Sequence, residues 1–326
     1  MTEPVLSVRD LAVRYKTREG NVHAVDSVSL ELERGKVLAI VGESGCGKST
    51  AAMSVMRLLP PEAEVLSGEV MFEGRDLLHC PEQELRTLRG RRVSMIFQDP
   101  VAGLNPVLTI GDQVAEALTS HLDIKKKDAK KQAVRVLYDV GLADPARVAK
   151  AYPFQLSGGM CQRVMIGIAT ALNPDVIIAD EPTSALDVTV QAQILYQLEQ
   201  LRTNRGTAIL LITHNFGVVA QIADDVAVMY AGRVIEHGTT EQILENPLHP
   251  YTHALLATLP RLDGDGGPLR AIPGHLPELS EPAERCPFLD RCSKVMNVCR
   301  SSGPPKLQAG EGLDHAVACY NPIWQS

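Results

Sequence analysis

Gly42-Glu43-Ser44-Gly45-Cys46-Gly47-Lys48-Ser49-Thr50 follows an apolar run over residues 36–41. Its spacing fits G-x-x-x-x-G-K-[ST], a loop that cradles phosphate. The glycines at 42, 45 and 47 let the backbone wrap closely and turn its amides toward phosphate oxygens. Residues 49–58 read as a helix, so the loop opens a helix whose N-terminal dipole adds positive potential. Strand, loop and helix in that order are the context such a loop requires. Lys48 is expected to reach the β- and γ-phosphates and the Ser49 hydroxyl to coordinate Mg²⁺. Ser44, Gly45, Cys46, Gly47 and Thr50 complete the predicted nucleotide-binding set. Cys46 reads as a small filler whose exposure would make ATP binding sensitive to thiol reagents.

Two further segments lie downstream. Val176-Ile177-Ile178-Ala179-Asp180-Glu181 reads as a buried strand ending in two acids. The strand would deliver Asp180 to the second shell of Mg²⁺. Glu181 is then placed to take a proton from an attacking water. Upstream of it, in Leu156-Ser157-Gly158-Gly159-Met160, glycines at a helix start again expose amides, and Ser157 offers a hydroxyl.

In this order the three segments resemble the ATP-binding subunit of an ABC transporter, from about Val5 to about Tyr251. The resemblance implies that Ser157 and Gly159 bind ATP held by another subunit, so that two cassettes close head to tail over two nucleotides. It makes Gln98, in Ile96-Phe97-Gln98-Asp99-Pro100, a sensor of Mg²⁺ and water on a loop facing the membrane subunit. His214, in Leu211-Ile212-Thr213-His214-Asn215, matches the switch histidine that contacts the γ-phosphate, with Asn215 where Asp is usual. Pro182-Thr183-Ser184-Ala185-Leu186-Asp187 resembles the loop that runs along the dimer seam. Tyr15 sits where the family stacks an aromatic ring on adenine. Met160 replaces the usual Gln, and with Gln162-Arg163 it fits the peptide-permease branch. Leu248-His249-Pro250-Tyr251-Thr252, Tyr152-Pro153-Phe154-Gln155 and Met229-Tyr230-Ala231-Gly232 resemble oligopeptide and dipeptide permease ATPases.

Composition bounds the alternatives. The 326 residues suffice for one large domain and a smaller one. Mean hydropathy is −0.01, ordinary for a globular protein. With 32 Lys+Arg against 39 Asp+Glu the net charge is −7, which argues against nucleic acid as a partner. The local basic cluster Lys125-Lys126-Lys127 with Lys130-Lys131 reads as a solvated helix face. No apolar stretch approaches the ~18–20 residues of a spanning helix, and Glu3, Arg9 and Asp10 leave no signal-peptide core. The chain is therefore expected in the cytosol, peripheral on the inner membrane.

Strands are predicted over 5–13, 22–32, 175–180, 207–213, 225–230 and 232–236. Helices are predicted over 109–141, 157–172 and 188–203. The alternation implies an α/β core with a mostly parallel sheet. The expected architecture is a P-loop ABC ATPase cassette over 1–259, with an inserted helical subdomain at about 107–172. A linker at Asp263-Gly264-Asp265-Gly266-Gly267-Pro268 leads to a small, irregular, Cys-rich C-terminal domain over 260–326.

That tail carries Cys286, Cys292, Cys299 and Cys319, separated by 5, 6 and 19 residues. This is not the paired C-x-x-C of most zinc ribbons. Four thiolates suit zinc or a [4Fe–4S] cluster, and free or oxidised thiols remain the alternative. The family resemblance points to the iron–sulfur cluster, in a structural or redox-sensing role. With few apolar residues around it, the tail is expected to need metal to fold.

The resemblance thus implies an ATPase that powers import of di- and oligopeptides. Its partners would be a second ATPase subunit, usually a paralogue, two transmembrane permease subunits and an extracytoplasmic peptide-binding protein. Nickel, opine or sugar import is the alternative within the class. A soluble ABC protein would usually carry two cassettes or a coiled-coil insertion, and a dead cassette would not keep Lys48, Asp180, Glu181 and His214.

Overall fold

The computed structural model describes residues 3–184, 186–259, 272–309 and 314–323. They form two compact units. One is built around Leu32–Lys36 and His79–Ile212. The other is built around Leu6–Glu31, Val37–Leu78 and the described part of Thr213–Ser326.

In the first unit the strands Val93–Ile96, Val176–Asp180 and Ala208–Ile212 run parallel, with Val176 opposite both Val93 and Ala208. All five residues of Val176–Asp180 are buried, as are all five of Ala208–Ile212. Burial on both faces is why these strands read as unbroken apolar runs. Asp175, just before the middle strand, accepts hydrogen bonds from Arg34 and Arg92. Burial raises its pKa, but the two arginines override this and hold the carboxyl below the usual range.

The helical part of this unit corrects the reading of 109–141 as one helix. The chain forms Ile110–Thr119 and Lys126–Asp139, with a break between them. Val114, Ala115 and Leu118 are buried on the first, and Ala129, Ala133 and Leu137 on the second. The two helices pack together. Two apolar stripes can cover each other only if the chain turns between them. The lysines of 125–131 are exposed, and Lys130 pairs with Asp112 at 2.7 Å. They form the solvated face expected of them. The helices Pro145–Val148 and Gly158–Thr170 complete the region.

The second unit is not mostly parallel. Strand Val37–Val41 pairs in parallel with Asp225–Tyr230. From there the ladder turns antiparallel, through Arg233–Thr239 and Ala316–Val317 to Gln308–Ala309. A separate antiparallel sheet orders Gly20–Leu32, Leu6–Thr17, Ala63–Phe72 and Arg75–Asp76. Sequence reasoning passed over Ala63–Phe72, most of whose positions are only partly buried or exposed. It therefore lacks a clean apolar alternation.

The expected linker at 263–268 lies outside the described residues. Beyond it, the C-terminal segment is built onto the strands of this unit. Phe288 is 2% exposed, and its ring stands edge-on to Tyr230 at 5.2 Å and to Tyr251 at 5.4 Å. Glu236 is fully buried and accepts the His249 amide at 3.0 Å, and His315 Nε2 lies 2.8 Å from its carboxylate. A carboxylate this deep is tolerable only when so bonded. Phe288→Ala should therefore lose about 3–5 kcal/mol in urea unfolding, the usual cost of deleting a buried aromatic ring. It should also make residues 272–323 quickly cleavable by protease. A variant as stable and protease-resistant as wild type would show that this aromatic cluster does not anchor the tail.

Candidate functional site

The phosphate loop lies in the second unit. Its turn is made by left-handed glycines, with φ +83° at Gly45 and +104° at Gly47. A Cβ on Gly47 would stand 2.1 Å from the Ala24 carbonyl oxygen, and one on Gly42 would stand 2.2 Å from that of Met229. Neither contact can be relieved by a rotamer change, because both partners are backbone. Gly47 caps the helix Lys48–Val55.

Lys48 is 7% exposed and donates from Nζ to the carbonyls of Gly42 at 2.8 Å and Glu43 at 2.9 Å. The ammonium thus lies across the mouth of the loop it belongs to. Ser44 and Gly45 are exposed at the tip and Ser49 is half-buried. Tyr15 Oη lies 3.2 Å from Thr50 Oγ1, which brings the tyrosine to the first turn of the helix.

Cys46 departs from expectation. It is fully buried, with Sγ 3.7 Å from Lys48 Nζ. Burial pushes its thiol pKa up, outweighing the nearby Lys48 cation. It is a filler, as its size suggested, but not an exposed one.

His214 is exposed, after Thr213, whose amide donates to Ile40 O at 3.1 Å. Asn215 caps the helix Phe216–Ile222, its Oδ1 accepting the Gly217 amide at 2.9 Å. Asn fills that role as readily as the usual Asp.

The remaining site residues belong to the first unit. Strand Val176–Asp180 ends in Asp180, which is 4% exposed. Glu181 then takes φ +50°, a left-handed conformation uncommon outside glycine, while its amide donates to Ile212 O at 2.9 Å. Such a turn persists where the surrounding structure holds it. Ile96 pairs with Ala179, so Gln98 and the two acids leave the same edge of the parallel strands. Ser157 caps the helix Gly158–Thr170, its hydroxyl accepting the Met160 amide at 3.4 Å. Gly159 sits in the first turn. Farther along that helix, buried Gln162 donates to Pro182 O at 2.8 Å, tying the chain just after Glu181 to the helix that Ser157 caps.

Sequence reasoning missed two contributors to the loop. Tyr251 Oη accepts the Glu43 amide at 2.9 Å, and Arg291 pairs with the Glu43 carboxylate at 2.8 Å. The His-Pro-Tyr-Thr segment was a signal for the first. His249 accepts the Tyr251 amide at Nδ1 (3.0 Å), and burial lowers its pKa to about 4, so the ring is neutral and able to accept.

The metal reading of the tail is corrected. Cys286, Cys292, Cys299 and Cys319 line one small cleft with His249 and Phe288. Yet among the described residues no group of three or more Cys, His, Asp or Glu side chains could hold a metal ion. All four thiols are free. Burial pushes those of Cys286 and Cys319 up to about 11. Neither the [4Fe–4S] cluster nor zinc is supported. The aromatic cluster, the added strands and the Glu236 contacts hold the segment where metal was expected to.

Comparison with known proteins agrees with the rest of the geometry. Residues 25–184 match the ABC transporter family, and residues 235–299 match the oligopeptide/dipeptide transporter C-terminal region. The chain is 48% identical to the dipeptide transport ATP-binding protein DppD of Bacillus subtilis, covering 98% of this chain and 95% of that protein. It is 44% identical to the oligopeptide transport ATP-binding protein OppD of Salmonella typhimurium, over 98% and 94%. Among solved structures, the dimeric post-hydrolysis ATP-binding cassette MJ0796 bound to ADP and Pi is 28% identical, with a TM-score of 0.65, over 72% of this chain and 98% of that one.

The burial of Cys46 sets a clear expectation. N-ethylmaleimide should leave ATP binding by the folded protein unchanged and label Cys46 only after denaturation. Rapid labelling of Cys46 in the native state, read by peptide mass, would contradict this geometry.

Proposed function

Because the chain belongs to the ATP-binding proteins of oligopeptide and dipeptide ABC transporters, we propose that it hydrolyses ATP to drive import of di- and oligopeptides across the bacterial inner membrane. The observation that carries the reading is a phosphate loop closed to side chains at Gly42 and Gly47, in a chain whose residues 235–299 match the peptide-transporter C-terminal region.

In this reading the loop amides and Lys48 hold the β- and γ-phosphates, and Tyr15 stacks on adenine. Ser44, Gly45, Cys46, Gly47 and Thr50 supply the surrounding backbone and first-turn contacts. Ser49 and Gln98 are assigned as oxygen ligands of Mg²⁺, with Asp180 in its second shell, a hard-oxygen choice that suits this ion. Bound there, the ion would neutralise phosphate charge. Glu181 takes a proton from a water, whose oxygen attacks the γ-phosphorus in line as the bond to the ADP oxygen breaks. The left-handed turn at Glu181 supports that role by fixing where its side chain leaves the strand. His214 contacts the γ-phosphate. Ser157 and Gly159 contact ATP held by a second ATPase subunit, usually a paralogue, in a head-to-tail dimer. The dimeric MJ0796 cassette supports that assembly.

The chain is read as a cassette over 1–259, including the helical subdomain at about 107–172, followed by the peptide-transporter extension over 260–326. Among the described residues no helix is long and apolar enough to cross a membrane. We assign membrane attachment to two permease subunits. The exposed apolar side chains of the first unit favour that: Phe97, Val101 and Val107, with Tyr152 and Phe154 stacked at 5.7 Å. An extracytoplasmic binding protein delivers the peptide.

Glu181→Gln in the assembled transporter should keep ATP binding and lose roughly 10²–10⁴-fold in hydrolysis. Lys48→Ala should instead weaken nucleotide binding itself. Near-normal turnover by the Gln variant would remove Glu181 from the role of base.

A further inference from the structure

Once the cysteines are set aside, Leu289-Asp290-Arg291-Cys292 has no role in the reading above. Its arginine, however, reaches the phosphate loop. Arg291 closes the one-turn helix Leu289–Arg291, next to buried Phe288. Its side chain is 6% exposed. Nε donates to Pro273 O at 2.9 Å. Nη1 donates to Glu43 Oε2 at 2.8 Å and to Tyr230 Oη at 3.2 Å. Nη2 donates to Glu43 Oε1 at 2.9 Å and to Ile272 O at 3.4 Å. A guanidinium has five N–H groups, and here each has an acceptor. The group also lies 5.7 Å from the centre of the Tyr230 ring. A lysine could supply the charge but neither the two-pronged grip on the carboxylate nor the remaining bonds.

Glu43, the second residue of the loop, is held at every polar atom. Its amide donates to Tyr251 Oη at 2.9 Å. Its carbonyl accepts Lys48 Nζ at 2.9 Å and the Cys46 amide at 3.3 Å. Its carboxylate is gripped by Arg291. The same residue therefore carries the anchor of Lys48 and a negative charge, in a loop built to receive anions. Left unpaired, that carboxylate would repel phosphate and pull on the backbone that orients Lys48.

We infer that Arg291 is a positioning residue for nucleotide binding: it fixes Glu43 within the phosphate loop and cancels the charge that would oppose the nucleotide. The inference rests on the reading of the loop as an ATP site. It gives the C-terminal segment a part in ATP binding that involves none of its cysteines.

The test is titration of the full chain with MgATP and MgADP, with folding checked by thermal melting. Arg291→Ala should weaken MgATP binding about tenfold, the size of one screened charge acting at close range. MgADP, with one negative charge fewer, should lose less. Adding Glu43→Gln to Arg291→Ala should recover most of the loss, and Arg291→Lys should fall between wild type and Ala. In the assembled transporter the KM for ATP should rise with kcat unchanged, which mere loss of fold would not produce. Unaltered MgATP affinity in folded Arg291→Ala overturns the inference, and so does a double variant no better than the single. Should Arg291→Ala not fold, Arg291→Lys decides, and wild-type affinity in it overturns the inference. If Lys48→Ala also binds MgATP normally, the nucleotide-site reading falls and takes this one with it. Dependence on Lys48 with indifference to Arg291 condemns the tether alone.

Discussion

The phosphate loop lies backbone against backbone, and that closeness constrains everything around it. Gly47 faces the Ala24 carbonyl and Gly42 faces that of Met229, each with no room for a Cβ. Ala24 belongs to the antiparallel sheet and Met229 to the strand paired with Val37–Val41. Between them, the Gly232 amide donates to Cys46 O at 2.9 Å, and Gly232 O accepts the Asp26 amide at 2.8 Å. The loop is thus a junction where two sheets of one unit are bonded through main chain. Both must form before it has a defined shape. Preorganised amides are what make such a loop an anion receptor rather than a flexible turn.

How much of this was legible depends on the range of the forces involved. The loop was legible because left-handed backbone at Gly45 and Gly47 demands glycine at fixed spacing. The strands ending at Asp180 and Ile212 were legible because burial on both faces keeps every position before Asp180, and all of Ala208–Ile212, apolar. The strand Ala63–Phe72 was not, since Val65 and Leu66 are exposed and Gly68 breaks its pattern. The break between Thr119 and Lys126 was hidden because both sides are good helix formers. What ends the helix is the packing of one half on the other. The left-handed Glu181 carried no local signal at all, because its conformation is imposed by neighbours.

The cysteines mark the sharpest difference between pattern and physics. Four thiols near one another in sequence suggest a ligand set. Whether they are ligands depends on their arrangement in three dimensions, and among the described residues no group of three or more Cys, His, Asp or Glu side chains could hold a metal ion. A segment poor in apolar residues also need not fold alone. Phe288 joins a core that includes Tyr230, Tyr251 and Ile235, and Ala316–Val317 adds to a ladder begun by Arg233–Thr239. Sequence composition cannot reveal a core that is borrowed.

The pairing of Glu43 with Arg291 spans 248 residues of chain. Ribosomes add roughly 5–20 residues per second, so about 12–50 s separate the synthesis of the two partners. Through that interval the phosphate loop exists without its arginine, and Glu43 carries an uncompensated charge. Strands that emerge early can form the loop's surroundings, but the last contact that fixes it arrives with the tail. On the inference drawn for Arg291, a nascent or truncated chain would bind nucleotide more weakly, and full affinity would come only after nearly the whole polypeptide has been made.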